Sequence, residues 1–330
     1  MKAIFLCQSK QNVARVYGDV AIAKIESNYS LDRNVYGVND LDLRDFSDVD
    51  VIFSTWGMPA LTEKQIEKNF PCLKAVFYSA GSVQAFARPF LERGIRVFSA
   101  WIANALPVVE YAVSQILLAN KGFYSLIRKT RKDYKGASEY FKNYKGNFDA
   151  KVGVLGDGAI GSRVIDRLLS YDLDVHVYSI TMTKEQAGQK GVTLATLDEI
   201  FQECDVISNH LASNALTKGI INRKLLESMK DYSTFINTGR GAQVDEQALI
   251  DVLSKNPTIT AVLDVTVPEP PVDGSPLYAL DNVFLTPHIA GSAGDEVKRM
   301  AEFMAEESEM LACGQQTRYE VTLKMLETMA

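Results

Sequence analysis

Residues 151–163, KVGVLGDGAIGSR, constrain the fold more than any other part of the chain. A short apolar run rich in β-forming residues leads into a G-x-G-x-x-G sequence, and helical periodicity resumes after it, which is the context of a dinucleotide-binding fingerprint. Its glycines, Gly156, Gly158 and Gly161, would allow the tight turn, the approach of a pyrophosphate and close helix–strand packing. The helix N-terminus would present N–H groups to the anion, although a glycine-rich turn without a ligand has the same sequence.

The composition is that of an ordinary globular protein and excludes several functional classes. With 330 residues, 47% of them hydrophobic and 23% charged, the chain should form about two domains with sizeable cores. The net charge of −6 argues against a nucleic-acid partner, and we interpret the basic run at 128–132 as a solvated helix end or loop. Four scattered cysteines without a C-x-x-C pair indicate neither a metal site nor a disulfide framework. We find no signal peptide and no apolar run of about 18 residues, so we expect a cytoplasmic protein that does not cross a membrane.

The first third of the chain alternates short apolar runs with helical patterns, which predicts a small parallel sheet with helices. Glycine turns follow two of the predicted strands, at 54–57 and 79–82. Loops at the carboxyl ends of parallel strands usually bind ligands, but simple tight turns explain these residues equally well. The predicted strands lie at 3–6, 51–53, 75–78 and 95–98, and a helix at 62–68.

A long helix should separate this region from the glycine motif. Asn104 is expected to cap a helix over 105–120 that ends before Gly122. Its apolar stripe favours a domain boundary or a contact with a second subunit. Residues 123–150 are polar, aromatic and basic, and they support no structural prediction.

From residue 151 onward, a second series of strands and helices predicts one doubly wound sheet. A last helix begins at a Ser292–Asp295 capping box, and it could return to the first domain and make that domain discontinuous. Further predicted strands lie at 175–178, 206–208, 234–237, 261–264 and 283–285, and helices at 160–170, 197–204, 224–229 and 246–254.

The three histidines of the chain differ in their sequence context. His176 alternates with apolar residues inside a predicted strand and is interpreted as structural. His210 follows a strand and could line a crevice near the adenosine half of a cofactor. His288 also follows a strand, and imidazole is the side chain that titrates near neutral pH without a large perturbation. We therefore predict that His288 is an acid/base group.

Two further charged residues follow strands of the same domain. Glycines flank Arg240, and its planar guanidinium suits bidentate recognition of a carboxylate. Glu269 lies between prolines and could hold and polarise an imidazole. Each residue has a simpler interpretation, as a surface arginine, a loop glutamate or a core histidine. Their shared position at the sheet edge of the glycine turn favours a common site.

These motifs resemble those of the D-isomer-specific 2-hydroxyacid dehydrogenases. The sequences GDGAIG, INTGRGAQVDEQAL, LDVTVPEPP and LTPHIAG occur in the family order, and the resemblance covers nearly the whole chain. It implies an NAD(P)-dependent oxidoreductase that transfers a hydride between a nicotinamide cofactor and a small 2-hydroxy or 2-oxo acid. The implied fold is α/β, with a Rossmann-type doubly wound parallel sheet domain (104–290) inserted into a smaller flavodoxin-like α/β substrate domain (1–103 and 291–330).

The resemblance further implies a homodimer joined through the nucleotide-binding domains. It also implies domain closure about hinges near Asn104 and Ala290. Because the chain stops shortly after the last helix, we expect no regulatory C-terminal domain.

The resemblance assigns site residues by position. Arg240, Glu269 and His288 would be catalytic, and no metal is implied. The substrate carboxylate would bind Arg240 and the backbone loop at 79–83, which contains Ser79, Ala80, Gly81 and Ser82. By position, the candidates for the wall of the substrate pocket are Ser54, Trp56, Tyr78 and Trp101. They would suit a small or partly apolar substrate group, and no cationic side chains are convincingly placed for a phosphorylated substrate. The cofactor-binding residues would be Gly156, Gly158, Ala159, Ile160, Gly161, Ser179, His210, Thr238, Gly239, Arg240, Asp264, His288 and Gly291.

One position departs from the family pattern. Most NAD-preferring members carry an aspartate at the end of the second strand, where this chain has Ser179. Lys184 could meet a 2′-phosphate, but no arginine lies beside Ser179. We expect NAD(H) to be used and NADP(H) tolerated, and the choice between them stays open.

A second functional class also shares this fold. Transcriptional corepressors of the same fold bind dinucleotide and act mainly as interaction proteins. Because they can keep the same Arg, Glu and His set, that set does not separate the two classes, although the lack of extra polar tails favours the enzyme.

Overall fold

Two sheets built from alternating strands and helices organise the structure, a computed structural model that describes residues 1–327. The chain divides into two compact units. The discontinuous unit contains Met1–Ala105 and the chain from Ser292 onward, and the continuous unit is Leu106–Gly291. The last three residues of the predicted segment 291–330 lie outside the described residues.

The sheet of the discontinuous unit has six strands in the order β13-β5-β4-β3-β1-β2, and only β13 is antiparallel to its neighbour. Its strands are β1 (Lys2–Leu6), β2 (Ser30–Tyr36), β3 (Val51–Ser54), β4 (Ala75–Tyr78), β5 (Arg96–Ser99) and β13 (Glu320–Val321). Its helices are α1 (Lys10–Val16), α2 (Asp19–Asn28), α3 (Glu63–Asn69), α4 (Ala87–Glu92) and α13 (Glu296–Ala312).

A row of aromatic side chains crosses one face of this sheet. The rings of Phe53 and Phe77 stack at 5.3 Å and those of Phe77 and Phe98 at 4.7 Å between centroids. Helix α13 packs against this row and buries Met300 and Met304 in the same core. The face is therefore completed by a helix from the far end of the chain.

The sheet of the continuous unit has seven parallel strands in the order β12-β11-β10-β9-β6-β7-β8. The strand order reverses between β6 and β9, and in such sheets ligands bind at the carboxyl ends beside this point. The predicted α/β class and doubly wound sheet are confirmed. The strands are β6 (Lys151–Leu155), β7 (Asp174–Tyr178), β8 (Thr193–Leu194), β9 (Val206–Asn209), β10 (Thr234–Asn237), β11 (Thr260–Leu263) and β12 (Val283–Leu285).

Helices α6 (Phe123–Lys132) and α7 (Tyr134–Tyr140) occupy the region for which the sequence gave no prediction. The basic run at 128–132 forms the exposed end of α6, as expected. Cationic side chains there interact favourably with the helix dipole. The remaining helices are α5 (Trp101–Asn120), α8 (Gly161–Leu168), α9 (Lys184–Lys190), α10 (Leu197–Glu203), α11 (Arg223–Glu227) and α12 (Glu246–Lys255).

Two predicted helix caps are wrong. Helix α5 begins at Trp101, so Asn104 lies inside it, and the Asn104 side-chain oxygen instead accepts a hydrogen bond from the Ser292 N–H (3.1 Å). The predicted start would have placed Pro107 in the first turn, where proline is best tolerated. Helix α13 begins at Glu296 without a side-chain cap, and the buried Ser292 hydroxyl has no partner among the described residues.

Helix α5 also corrects the expectation that no apolar run is long enough to cross a membrane. By length and composition alone, Trp101–Asn120 could do so. Its side chains Val109, Ala112, Ile116 and Ala119 are buried in the core beside β6 and α8. Core helices of other proteins meet the same criterion, and the packing of α5 is that of a core helix.

Candidate active site

The glycine motif forms the turn between β6 and α8. Gly156 has a φ of +90°, which favours glycine, and its N–H donates to the Tyr178 carbonyl oxygen at the end of β7 (2.8 Å). A Cβ at Gly161 would lie 1.9 Å from the Gly156 carbonyl oxygen, so only glycine lets α8 start this close to the turn. A Cβ at Gly158 would meet no atom within 4 Å. The turn is therefore tight on its inner side and open on its outer side.

His288 and Glu269 form a pair at the same edge of the sheet. The His288 Nδ1 lies 2.6 Å from a Glu269 carboxylate oxygen, and both side chains are partly exposed, at 48% and 41%. His288 follows β12, and Glu269 lies in the loop after β11. Because Glu269 accepts from Nδ1–H, the other ring nitrogen, Nε2, is left for a ligand.

The buried carboxylate of Asp264 holds the turn that carries His288. Its oxygens accept hydrogen bonds from the backbone N–H groups of Ile289 (2.7 Å) and Ala290 (2.9 Å) and from the Thr286 hydroxyl (2.6 Å). His288 lies between these donors with a φ of +54°, a conformation that costs a non-glycine residue free energy. The Asp264 bonds offset that cost and fix the direction of the imidazole.

Asp264→Asn should therefore loosen this turn. An amide has one acceptor oxygen, so at least one of the buried N–H groups loses its partner, and the free energy of unfolding should fall by about 1–3 kcal/mol. The measurement is denaturant unfolding, with Asp273→Asn in the exposed loop before β12 as the control for charge. Equal stability of the two variants would contradict this role of Asp264.

Buried amides shape the loop that carries Arg240. The Asn209 amide donates to the side-chain oxygens of Asn237 (3.0 Å) and Gln243 (2.8 Å), and the Gln243 oxygen also accepts from the Arg240 N–H (3.0 Å). All three amides are at most 1% exposed. A Cβ at Gly241 would lie 2.0 Å from the Thr266 carbonyl carbon, so this loop packs directly on the start of the loop that carries Glu269.

The Arg240 guanidinium donates from Nη1 to the Gly239 carbonyl oxygen (2.7 Å). In the described part of the chain this is its only hydrogen bond, and no ion pair joins it to Glu269 or His288. Arginine has five N–H donors in a planar fork. Most of them are therefore available to a ligand carboxylate.

His210 differs sharply from His288. Its Nε2 lies 2.9 Å from the Ser208 hydroxyl and its Nδ1 3.4 Å from the Thr238 hydroxyl. Burial lowers the pKa of the His210 imidazole from 6.5 to about 4, so this ring is neutral at pH 7. It lies beside the glycine turn, since a Cβ at Gly156 would come 3.0 Å from the His210 carbonyl oxygen, but it is poorly suited to donate a proton.

The cofactor candidates of the continuous unit thus lie after five strands that run in one direction. Gly156 follows β6, Ser179 follows β7, His210 follows β9, Thr238 follows β10 and Asp264 follows β11. Their side of the sheet also carries His288 after β12. Their predicted contacts with a dinucleotide remain predictions.

The loop at 79–83 belongs to the discontinuous unit and follows β4. Side chains bind its inner carbonyl groups: the Thr55 hydroxyl donates to the Ser79 oxygen (2.9 Å) and the Ser99 hydroxyl to the Ala80 oxygen (2.9 Å). Within residues 1–327, the backbone N–H groups of Gly81 and Ser82 have no acceptor. Adjacent free N–H groups of this kind can bind an anion.

The four pocket-wall candidates separate into two pairs. Ser54 is fully buried and its hydroxyl donates to the Leu6 carbonyl oxygen, while Tyr78 packs against the Phe86 ring at 4.8 Å in the core. Trp56 and Trp101 are partly exposed. The sequence placed all four at or after the ends of strands but did not show which of them point into the core.

Other predicted residues lie away from this edge. His176 is buried inside β7 and its Nε2 lies 3.0 Å from the Asp174 carboxylate, in keeping with a structural role. All four cysteines are free thiols. Among the described residues, no group of three or more histidine, cysteine, aspartate or glutamate side chains is arranged to hold a metal ion.

Sequence reasoning missed two sets of polar residues at this edge. The first is the amide set Asn209, Asn237 and Gln243; the clue was that two of these residues end strands β9 and β10. The second is Asp157 inside the glycine motif, whose carboxylate lies 2.7 Å from the Ser179 hydroxyl. The glycine motif carries structural information at its glycines, and the residue type between them does not show where its side chain points.

Comparisons with known proteins agree with this geometry. Residues 113–290 match the family model described as "D-isomer specific 2-hydroxyacid dehydrogenase, NAD binding domain". The D-3-phosphoglycerate dehydrogenase of Archaeoglobus fulgidus is 33% identical over 237 residues, which are 72% of this chain and 44% of that protein. This chain therefore matches less than half the length of that curated relative.

Solved structures show the same fold over nearly the whole chain. The NAD-complexed D-isomer specific 2-hydroxyacid dehydrogenase from Lactobacillus delbrueckii ssp. bulgaricus has a TM-score of 0.74 at 20% identity, covering 98% of this chain and 100% of that one. An acyclic imino acid reductase in complex with NADPH and D-Arg has a TM-score of 0.72 at 24% identity, covering 97% and 100%.

Proposed function

Because the chain belongs to the D-isomer-specific 2-hydroxyacid dehydrogenase family, we propose that it transfers a hydride between NAD(H) and a small 2-hydroxy or 2-oxo acid. The observation that carries this proposal is the 2.6 Å pair of His288 and Glu269. This pair lies on the sheet edge that also carries the glycine turn and Arg240. An acid/base group, an anion-binding arginine and a nucleotide turn are the parts that this reaction needs.

The glycine turn fits a dinucleotide. Its outer side at Gly158 is open, and its inner side at Gly161 is closed against the backbone of Gly156. This arrangement brings the backbone N–H groups at the start of α8 to the surface of the turn, where a pyrophosphate can accept from them. Gly156, Ala159, Ile160 and Gly161 would hold the cofactor there. The nicotinamide, when bound, supplies or accepts the hydride.

The chain's own groups then supply binding and proton transfer. In the reducing direction, Arg240 binds the carboxylate of the oxo acid through its planar fork. Protonated His288 donates the proton from Nε2 to the oxygen on carbon 2 as the hydride reaches that carbon. Glu269 holds Nδ1–H and stabilises the imidazolium before the proton leaves. In the oxidising direction, neutral His288 accepts the proton of the hydroxyl.

The loop at 79–83 is proposed as a second group that binds the substrate carboxylate. The support is the pair of backbone N–H groups, on Gly81 and Ser82, that lack an acceptor in the described residues. Trp56 and Trp101 are the partly exposed aromatic candidates for contact with the rest of the substrate. Aromatic side chains favour a small, partly apolar group over a phosphorylated one.

A turnover assay tests the proposed activity. Oxidation of NADH is followed with a panel of 2-oxo acids whose carbon 3 carries hydrogen, a hydroxyl, a phosphate or an aromatic ring. Oxidation with at least one member is expected. If the protein binds NADH but reduces none of these 2-oxo acids, it is better explained as a dinucleotide-binding interaction protein of the same fold.

We also propose that the protein forms a homodimer through the continuous unit. Leu118, Phe123 and Ile127 are exposed by 38%, 40% and 41%, and they line one surface groove along α5 and α6. Contiguous exposed apolar side chains typically mark a protein–protein contact. The expected cytoplasmic location stays a prediction.

Ile127→Asp should weaken this dimer. Burying a carboxylate among the apolar side chains of the contact is costly, so the dimer dissociation constant should rise about tenfold or more. Analytical ultracentrifugation measures the shift. Gln189→Glu on the exposed face of α9 adds the same charge elsewhere and should leave the dimer intact. A monomeric wild type, or a variant that dimerises equally well, would refute this contact.

A further inference from the structure

Three polar side chains meet where β6 and β7 end, and none of their contacts was expected from the sequence. The Ser179 hydroxyl donates to a carboxylate oxygen of Asp157 (2.7 Å), and the Thr181 hydroxyl lies 3.1 Å from both oxygens of the same carboxylate. Asp157 comes from the glycine turn, while the two hydroxyl residues follow the second strand of the sheet, β7. The Asp157 carboxylate therefore lies beside Ser179, the position at which most NAD-preferring members of the family carry an aspartate.

The Ser179 hydroxyl has no hydrogen-bonding position left for a ligand. Its hydroxyl proton goes to Asp157, and its oxygen accepts from the backbone N–H groups of Thr181 (3.0 Å) and Met182 (2.8 Å). A hydroxyl has one donor and two acceptor positions, so these three bonds use all of them. The role of Ser179 is to orient the Asp157 carboxylate.

Asp157 keeps part of its acceptor capacity. A carboxylate offers about four acceptor positions, and the two hydroxyl groups occupy only some of them. In the part of the chain that the structure describes, no salt bridge pairs Asp157. The nearby cation Arg163 is directed elsewhere, since its Nη1 donates to the Ala159 carbonyl oxygen (2.7 Å). The negative charge at this edge is therefore not neutralised by a neighbouring side chain.

We propose that Asp157 is the residue that selects NAD(H) over NADP(H). In doubly wound folds, the adenosine ribose lies at the end of the second strand, where a carboxylate accepts from its hydroxyl groups. Asp157 presents such a carboxylate from the adjacent turn. The 2′-phosphate of NADP(H) would place a second anion beside the Asp157 carboxylate, which has no proton to donate to it. Like charges within hydrogen-bonding distance repel strongly. This inference rests on the proposed dinucleotide function, and it replaces the expectation that NADP(H) is tolerated.

The test measures binding rather than turnover, so that it does not depend on knowing the substrate. Dissociation constants for NADH and NADPH are obtained from the change in nucleotide fluorescence, for the wild type and for Asp157→Asn. The wild type should bind NADPH about 10²-fold more weakly than NADH, because a repulsion of a few kcal/mol corresponds to that factor. In Asp157→Asn, the ratio of the NADPH dissociation constant to the NADH dissociation constant should fall below about ten. The main cause should be tighter binding of NADPH.

Two further variants sharpen the result. Ser179→Ala keeps the charge and removes one orienting bond, so the ratio should change less than in Asp157→Asn. Asp172→Asn removes a carboxylate in the exposed turn before β7, at the opposite end of the strand, and it controls for net charge. This control should keep the wild-type ratio. Melting temperatures of all variants show whether a change in binding reflects a change in folding.

The outcomes separate this inference from the proposed function. Comparable affinities of the wild type for NADH and NADPH, or an unchanged ratio in Asp157→Asn, would overturn the inference while leaving a dinucleotide site in place. A wild type that binds neither nucleotide would overturn the proposed function and the inference together.

Discussion

His288→Asn is expected to lower kcat by about 10²-fold or more, the usual contribution of a positioned general acid or base. Asparagine cannot donate a proton at neutral pH, but it tolerates the left-handed backbone conformation that residue 288 adopts. The fold and the affinity for NADH should therefore stay close to those of the wild type. Steady-state kinetics with one good 2-oxo acid and nucleotide binding measure the two effects separately.

The chain offers a matched control for this experiment. His176 also contacts a carboxylate, that of Asp174 at 3.0 Å, but it lies inside strand β7. His176→Asn should leave the kcat of the folded protein unchanged. A His288→Asn protein with near-normal kcat would remove His288 from the mechanism. The buried and neutral His210 would be a poor replacement, so a water-mediated proton transfer would then have to be considered.

Arg240→Lys is expected to lower kcat/KM for the oxo acid by about 10²-fold or more. An ammonium group is a point charge and cannot reproduce the planar, bidentate fork of a guanidinium. The loop itself should keep its shape, because the buried amides bind the backbone of residue 240 rather than its side chain. A loss in kcat/KM without a loss in NADH affinity would place the effect on the oxo acid.

A surface arginine provides the comparison for this substitution. Arg223 on α11 forms an ion pair with Asp251 at 2.8 Å, far along the chain from the glycine turn. Arg223→Lys changes the same chemical group and should leave kcat/KM unaltered. Full activity of Arg240→Lys would show that residue 240 does not bind the carboxylate through two parallel hydrogen bonds.

The sequence predicted the sheet of the continuous unit well, because its signals are local. Strands that are buried on both faces appear as continuous apolar runs, and β6, β9 and β10 are of this kind. Strand β2 was missed for the same reason. It is an edge strand in which only Tyr36 is buried, and SLDRNVY contains no apolar run.

Helix starts were predicted less reliably, because capping signals depend on what surrounds them. Asn104 and Ser292 are both good capping residues by type. The structure joins them to each other, through the Asn104 side chain and the Ser292 backbone. Residues so far apart in the chain give no sign of that pairing in the sequence.

The residues of the candidate site were predicted from their positions after strands, whereas most of the contacts between them were not. The partnership of His288 with Glu269 was expected because both residues fall at one edge. The position of Asp157 over Ser179 depends on the path of the glycine turn. A turn of three glycines can direct the intervening side chain either way, so the sequence does not show that the Asp157 carboxylate contacts the residues after β7.

The discontinuous unit imposes an order of folding during synthesis. The continuous unit, Leu106–Gly291, is complete before α13 and β13 have been made. Until then the aromatic row of Phe53, Phe77 and Phe98 lacks the helix that covers it. Nascent chains therefore expose an apolar sheet face for the time needed to translate the inserted segment, and such faces promote aggregation. We expect the protein to depend on chaperones at this stage more than at any other.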